Sequence, residues 1–163
     1  MARIGRSAGS LVALATVMMF TLAACGGGPV KRVSEPAAGI QQLTVRADGQ
    51  WSVDLRIDNF SSVPMRFDAA SLALVIGGES AGTLGGNPGL VIGPESADVA
   101  TLTLAPSSAA RITVADALSN RRELAYTLKG TLDAGPEGEK SRQYRIDRSS
   151  ALNPAPGLPG VLR

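Results

Sequence analysis

The chain predicts an all-β fold, an antiparallel β-sandwich over residues 39–148. Three observations point to it. Trp51, Val53, Leu55 and Ile57 alternate with Ser52, Asp54, Arg56 and Asp58, and period two is the pattern of a half-buried antiparallel strand. Further short apolar, β-branched runs follow, separated by turn signals such as Asp48-Gly49 and Gly77-Gly78, which suit hairpins rather than long parallel crossovers. Only Ser107 to Leu118 suggests a helix, which is too little for a helical or α/β class.

The N-terminus precedes this domain. Met1 to Ser7 carries Arg3 and Arg6 and no acid, and Leu11 to Cys25 is apolar apart from Thr16 and Thr21. That run is short of the roughly 20 residues needed to span a bilayer. It has the charged start, apolar middle and small-residue end of a secretion signal over residues 1–24. Leu22-Ala23-Ala24-Cys25 resembles the lipobox of bacterial lipoproteins. The resemblance implies recognition through Leu22, Ala23 and Ala24 and cleavage before Cys25. It also implies a diacylglycerol on the Cys25 thiol and an acyl group on the freed amine. One acyl chain holds a protein only marginally, at about 0.8 kcal/mol per buried methylene, whereas two or three anchor it stably. Gly26 rather than Asp follows the cysteine, which by the same resemblance favours the outer membrane, facing the periplasm. Residues 25–38 are rich in Gly, Pro and Ala and read as a flexible tether with a reach of roughly 20 Å.

Within the domain, Ile40 to Arg46 reads as the first strand and Asp48-Gly49 as its turn into Trp51–Asp58. Asn59 to Pro64 is a turn-rich break. A short strand from Met65 to Asp68 follows, then Leu72 to Ile76, the Gly77-Gly78 turn and Glu79 to Leu84. Gly85 to Gly89 reads as a loop, Leu90 to Ile92 as a brief strand, and Ala97 to Leu104 as a longer one. Ser107 to Leu118 fits a strand or a short helix. The helix is preferred, with Ser108 as its cap and Ile112, Ala115 and Leu118 on its inner face. Glu123 to Leu132 places Leu124, Tyr126, Leu128, Gly130 and Leu132 inward. A polar loop, Asp133 to Glu139, leads to a last strand with Tyr144 and Ile146. The tail, Ser149 to Arg163, carries Pro154, Pro156 and Pro159 and is expected to be extended. Its Leu152, Leu158, Val161 and Leu162 suit docking on the sandwich or on a partner, and a frayed end is an equal alternative.

A second resemblance rests on three stretches. The strand ending Ile57-Asp58-Asn59 is followed by the turn Phe60-Ser61-Ser62 and by Val63-Pro64-Met65-Arg66-Phe67. Leu72 to Gly82 ends in Ser80-Ala81-Gly82. The third stretch is Tyr126-Thr127-Leu128-Lys129-Gly130. Together, over Ile40 to Leu132, they resemble the late embryogenesis abundant type 2 family, also called the water stress and hypersensitive response domain. Phe60 stands where that family has a proline. The resemblance implies a fibronectin-III/immunoglobulin-like sandwich without catalytic residues, associated with desiccation and other stress and often membrane-anchored in bacteria.

Composition removes several function classes. With Arg3 and Arg6 set aside, 14 basic and 14 acidic residues remain, so the domain lacks the basic face that nucleic acid requires. Beyond the leader the aromatics are Trp51, Phe60, Phe67, Tyr126 and Tyr144, too few for a stacking platform. Histidine is absent, which removes the commonest general base and a common metal ligand. Cys25 is the single cysteine, so neither an internal disulfide nor a thiolate zinc site is available.

The motifs that look chemical read as structure. Gly78-Glu79-Ser80-Ala81-Gly82 matches a nucleophile elbow, but that motif needs a strand-to-helix turn and a histidine. The glycines from Gly77 to Gly93 lack the following lysine of a phosphate loop. Asp54 and Asp58 share a strand face at about 13 Å, too far apart for one site. Asp133, Glu137 and Glu139 lack calcium-loop spacing. Asn59-Phe60-Ser61 matches a glycosylation sequon by chance. The expectation is therefore a non-catalytic envelope module with no cofactor, metal or small-molecule substrate. It would be held by lipid on Cys25 and would meet a protein partner through an edge strand or the tail. The alternative is a carrier of a small apolar ligand or lipid.

Overall fold

The computed structural model describes residues 30–163, so the leader, with Leu22, Ala23, Ala24 and Cys25, lies outside the described residues. The alternation read in the sequence builds the first hairpin. β1 (Ala37–Val45) and β2 (Trp51–Asn59) pair antiparallel, with Val45 opposite Trp51. Gly49 closes the turn at φ +78°, a conformation glycine adopts without steric cost. Trp51, Val53, Leu55 and Ile57 are all buried.

The chain continues through β3 (Met65–Ile76), β4 (Glu79–Gly86), β5 (Leu90–Ile92) and β6 (Ser96–Leu104). Helix α1 (Ser108–Ser119) follows, then β7 (Leu124–Pro136), β8 (Arg142–Leu152) and β9 (Val161–Leu162). One sheet has the order β6-β2-β1-β9. The other has β4-β3-β7-β8, with β5 also paired to β3. All pairings are antiparallel. The inner faces meet through Leu43, Leu55, Phe67, Leu74, Leu128 and Leu132, among others. The fold is thus an all-β sandwich with one short helix among the described residues.

The sandwich has two distinct ends. At the base, Asn59 stands opposite Ser96 and Met65 opposite Pro136, and the turns 59–64, 93–95 and 137–141 lie there. At the crown, Trp51 stands opposite Leu104, and a Cβ at Gly49 or Gly77 would meet Arg111 or Thr113 of α1.

Several boundaries differ from the sequence reading. Met65–Ile76 is one continuous strand. A bulge between Phe67 and Ala69 shifts the alternation by one residue, so that Phe67 and Ala70 both face inward, and this broke the pattern in sequence. Gly85 and Gly86 belong to β4, opposite Ser71 and Ala70. β7 runs on to Pro136, which leaves a much shorter turn than the polar loop expected from Asp133. β8 extends to Leu152, so Ser149 to Leu152 is strand paired with Leu124 to Thr127; both serines are exposed there. The helix is capped by Ser107 rather than Ser108. Ser107 Oγ accepts from Ala110 N–H and donates to the Ser80 carbonyl, and its N–H donates to the Ala81 carbonyl. Ala110, Val114 and Ala117 face the core with Leu118 packed against it, whereas Ile112 is 70% exposed and Ala115 is exposed; of the face expected on Ile112, Ala115 and Leu118, only Leu118 meets the core. Gly130 is set by a close approach instead of a turn: a Cβ there would lie 2.0 Å from the Ser71 carbonyl oxygen.

Candidate functional site

Two surfaces carry features that packing alone does not demand: the base, where the chain enters the domain, and a groove at the crown. The base is organised by Asn59. Its side chain is 1% exposed. Nδ2 donates toward the carbonyls of Val63, Ile92 and Gly93 at 2.9, 3.0 and 2.8 Å, and Oδ1 accepts from Ser61 N–H at 2.9 Å. One amide thereby ties β2 to the turns on either side of it. The same contacts occupy the nitrogen that a sequon would glycosylate.

Ser61 and Ser62 then capture the incoming chain. Arg32 N–H donates to Ser62 Oγ, Ser62 N–H donates to the Arg32 carbonyl, and Ser34 N–H donates to Ser61 Oγ. Arg32 also donates to the Phe60 carbonyl at 3.2 Å and pairs with Glu95 at 2.8 Å. Lys31 pairs with Glu139. Pro36 is buried, and Ala37 and Ala38 already belong to β1, opposite Asp58 and Ile57. The tether expected over 25–38 is corrected here: from Lys31 onward the chain is docked on the domain. In sequence Ser61 and Ser62 read as part of a turn and Arg32 as part of the tether, because their partners lie about thirty positions away.

Beside this clamp, Arg66 Nε and Nη2 donate to Asp68, and Ser141 Oγ donates to the same carboxylate. These bonds hold the Asp68 carboxyl below the usual carboxylate range, Arg66 contributing most, and raise the affinity of the Arg66 guanidinium for its proton.

At the crown the tail forms a hairpin instead of fraying. Asn153 and Arg163 exchange backbone hydrogen bonds, Ala155 N–H donates to the Val161 carbonyl, and Val45 N–H donates to the Gly160 carbonyl. β9 thereby covers the outer edge of β1, with Leu43 opposite Leu162. Leu152 and Leu162 are buried, and Leu158 remains 45% exposed. Between this hairpin and the end of α1 lies an open groove of about 770 Å³, walled by Leu118, Pro154, Pro156 and Leu158, with Arg121 at its side. Arg122 N–H donates to the Ala117 carbonyl and Arg121 N–H to the Leu118 carbonyl, the Schellman arrangement of a helix end. Arg121 holds its left-handed position at φ +51°, where glycine is the ordinary occupant.

The edge strands are guarded unequally. β4 lies against Ser107 at the start of α1. On β6, Asp98 sits opposite the inward Ile57 and accepts from Val99 N–H; a charge at a core-side position discourages strand addition. The residues weighed for chemistry are dispersed. Asp54 accepts from Thr101 and Asp58 from Arg56. Asp133 accepts from Gln143, and Ser80 lies in the β3–β4 hairpin. Among the described residues no three acidic, histidine or cysteine side chains come together to hold a metal.

No family model matches the chain, and no curated protein matches it. Among solved structures it is similar to a protein from Arabidopsis thaliana determined in solution, with a TM-score of 0.48 and 13% identity over 78% of this chain and 83% of that one. It is also similar to a protein from Archaeoglobus fulgidus determined by crystallography, with a TM-score of 0.41 and 17% identity over 76% of this chain and 98% of that one.

Proposed function

We propose that the protein is a membrane-anchored, non-catalytic envelope lipoprotein that presents its sandwich as a binding or structural module. The observation that carries this reading is Leu22-Ala23-Ala24-Cys25 closing an apolar run behind Arg3 and Arg6. Acyl chains on Cys25 supply location, and the crown groove supplies a contact surface whose apolar walls and single arginine suit a protein segment. The Asn59 turn, prominent in the resemblance to the late embryogenesis abundant type 2 family, organises the base. That supports a place in this family and, with it, a role in desiccation or related stress at the outer membrane. Transport of an apolar ligand is the weaker reading, because Trp51, Met65, Phe67 and the core leucines fill the space between the sheets.

Mass spectrometry of the protein purified from bacterial membranes tests the anchor. The expected product begins at Cys25 and carries diacylglycerol and an N-acyl group, and Cys25→Ser leaves the leader attached. An unmodified thiol on a full-length chain overturns the reading. For the groove, crosslinking in intact cells is expected to capture a partner that the double variant Arg121→Glu, Leu158→Asp no longer captures.

A further inference from the structure

The aromatic residues beyond the leader divide unevenly. Trp51, Phe67, Tyr126 and Tyr144 are buried, whereas Phe60 is 50% exposed. Phe60 sits at the base, and its carbonyl accepts from Arg32. The one exposed aromatic among the described residues thus lies beside the point where the chain leaves the domain toward Cys25.

Tether length then decides what Phe60 meets. In the sequence only Gly26, Gly27, Gly28, Pro29 and Val30 separate Cys25 from the docked Lys31. Six Cα steps from Cys25 to Lys31 reach about 20 Å when fully extended. By chain statistics, six residues of Gly-rich composition have an r.m.s. span of about 13 Å. The headgroup layer on one side of the hydrocarbon core takes up roughly 5–7 Å of this distance. The remaining gap is about the length of one large side chain. Resting on the anchoring reading above, we infer that the base of the sandwich docks on the lipid headgroups, with the Phe60 ring entering the interface. The anchor then fixes orientation as well as location, and the crown with its groove faces away from the bilayer. Around Phe60, Lys31 pairs with Glu139, Arg32 with Glu95 and Arg66 with Asp68, and the further charges of Glu35, Glu137 and Lys140 add no excess of positive charge. The contact is therefore made by the ring against the interface and needs no anionic lipid.

The test uses the acylated protein beginning at Cys25, in vesicles of phosphatidylethanolamine and phosphatidylglycerol with brominated acyl chains. Phe60→Trp places a fluorophore at the base. Trp51 is an internal control, since it is buried and lies about 26 Å away along β2. Ile112→Trp, at the exposed crown, is the external one. In the Phe60→Trp protein, the emission added by the new indole is expected to fall by at least half relative to unbrominated vesicles, at low and high salt alike. The emission added in the Ile112→Trp protein is expected to be unaffected. Equal quenching in the two variants, or none in acylated, vesicle-bound Phe60→Trp, overturns the inference and leaves the anchor standing. An unmodified Cys25 in the same sample overturns both.

Discussion

Asn59 is where a single side chain has the most to lose. Replacing it with Ala strands three carbonyls and the Ser61 N–H in a buried turn. An unpaired buried group costs about 1–3 kcal/mol, so Asn59→Ala is expected to lower unfolding stability by about 2–4 kcal/mol in urea titrations. Asn59→Asp keeps the shape but turns a carboxylate toward those carbonyls. Its deficit is expected to be larger at neutral pH and to shrink in acid, as the protonated form recovers one donor. Gly130→Ala forces a methyl against the Ser71 carbonyl and is expected to cost at least about 3 kcal/mol by the same measurement. Asp68 sets a pH limb. Its carboxyl binds a proton less readily in the fold than in the unfolded chain, because Arg66 and Ser141 bond the ionised form. The stability it contributes is therefore complete above the unfolded value, near pH 4, and is lost as pH falls through the lower folded value. Asp68→Asn is expected to flatten that part of the urea midpoint against pH. The sequence marked Asn59 as the start of a turn but not as the residue that ties the base together, since its partners at Ile92 and Gly93 are distant along the chain.

At the scale of elements, the helix end and the tail hairpin give the sharpest expectations. A non-glycine residue in the left-handed region costs about 1–2 kcal/mol. Arg121→Gly removes that strain but adds freedom to the unfolded chain, so a net gain of about 0.5–1 kcal/mol in unfolding stability is expected. A variant that is more stable yet loses the crosslinked partner would show that Arg121 is kept for the groove. Leu162→Ala empties a fully buried site on β9 and is expected to cost about 2–4 kcal/mol by thermal or urea unfolding. Strands were legible where alternation was unbroken, as in Trp51 to Asp58. They were not where a bulge reset the phase at Asp68, or where an exposed Ser149-Ser150 imitated a loop. Val161 and Leu162 were legible as apolar residues seeking a surface, but not as a strand, because two residues carry no period.

For the molecule as a whole, the fold class was readable because it depends on local pattern, and the Cys25 motif was readable because it is contiguous. The base clamp and the crown groove were not, since each joins segments far apart in the chain and exists only once the sheets close. Matched charge has a further consequence at this scale: on the proposed anchoring, attachment to vesicles is expected to survive a rise in salt, measured by flotation, because it would rest on acyl chains and not on surface charge. The pairing of β9 with β1 sets an order of assembly. Arg163 reaches Gln42 across 121 positions, so a chain synthesised amino end first carries an uncovered β1 flank until residues 161–163 arrive. Such a flank recruits neighbouring chains, and contacts this remote along the chain form slowly. A product shortened by a dozen residues would keep the flank open for good, and so would be cleared by proteases or lost to aggregation instead of persisting as a slightly weaker sandwich.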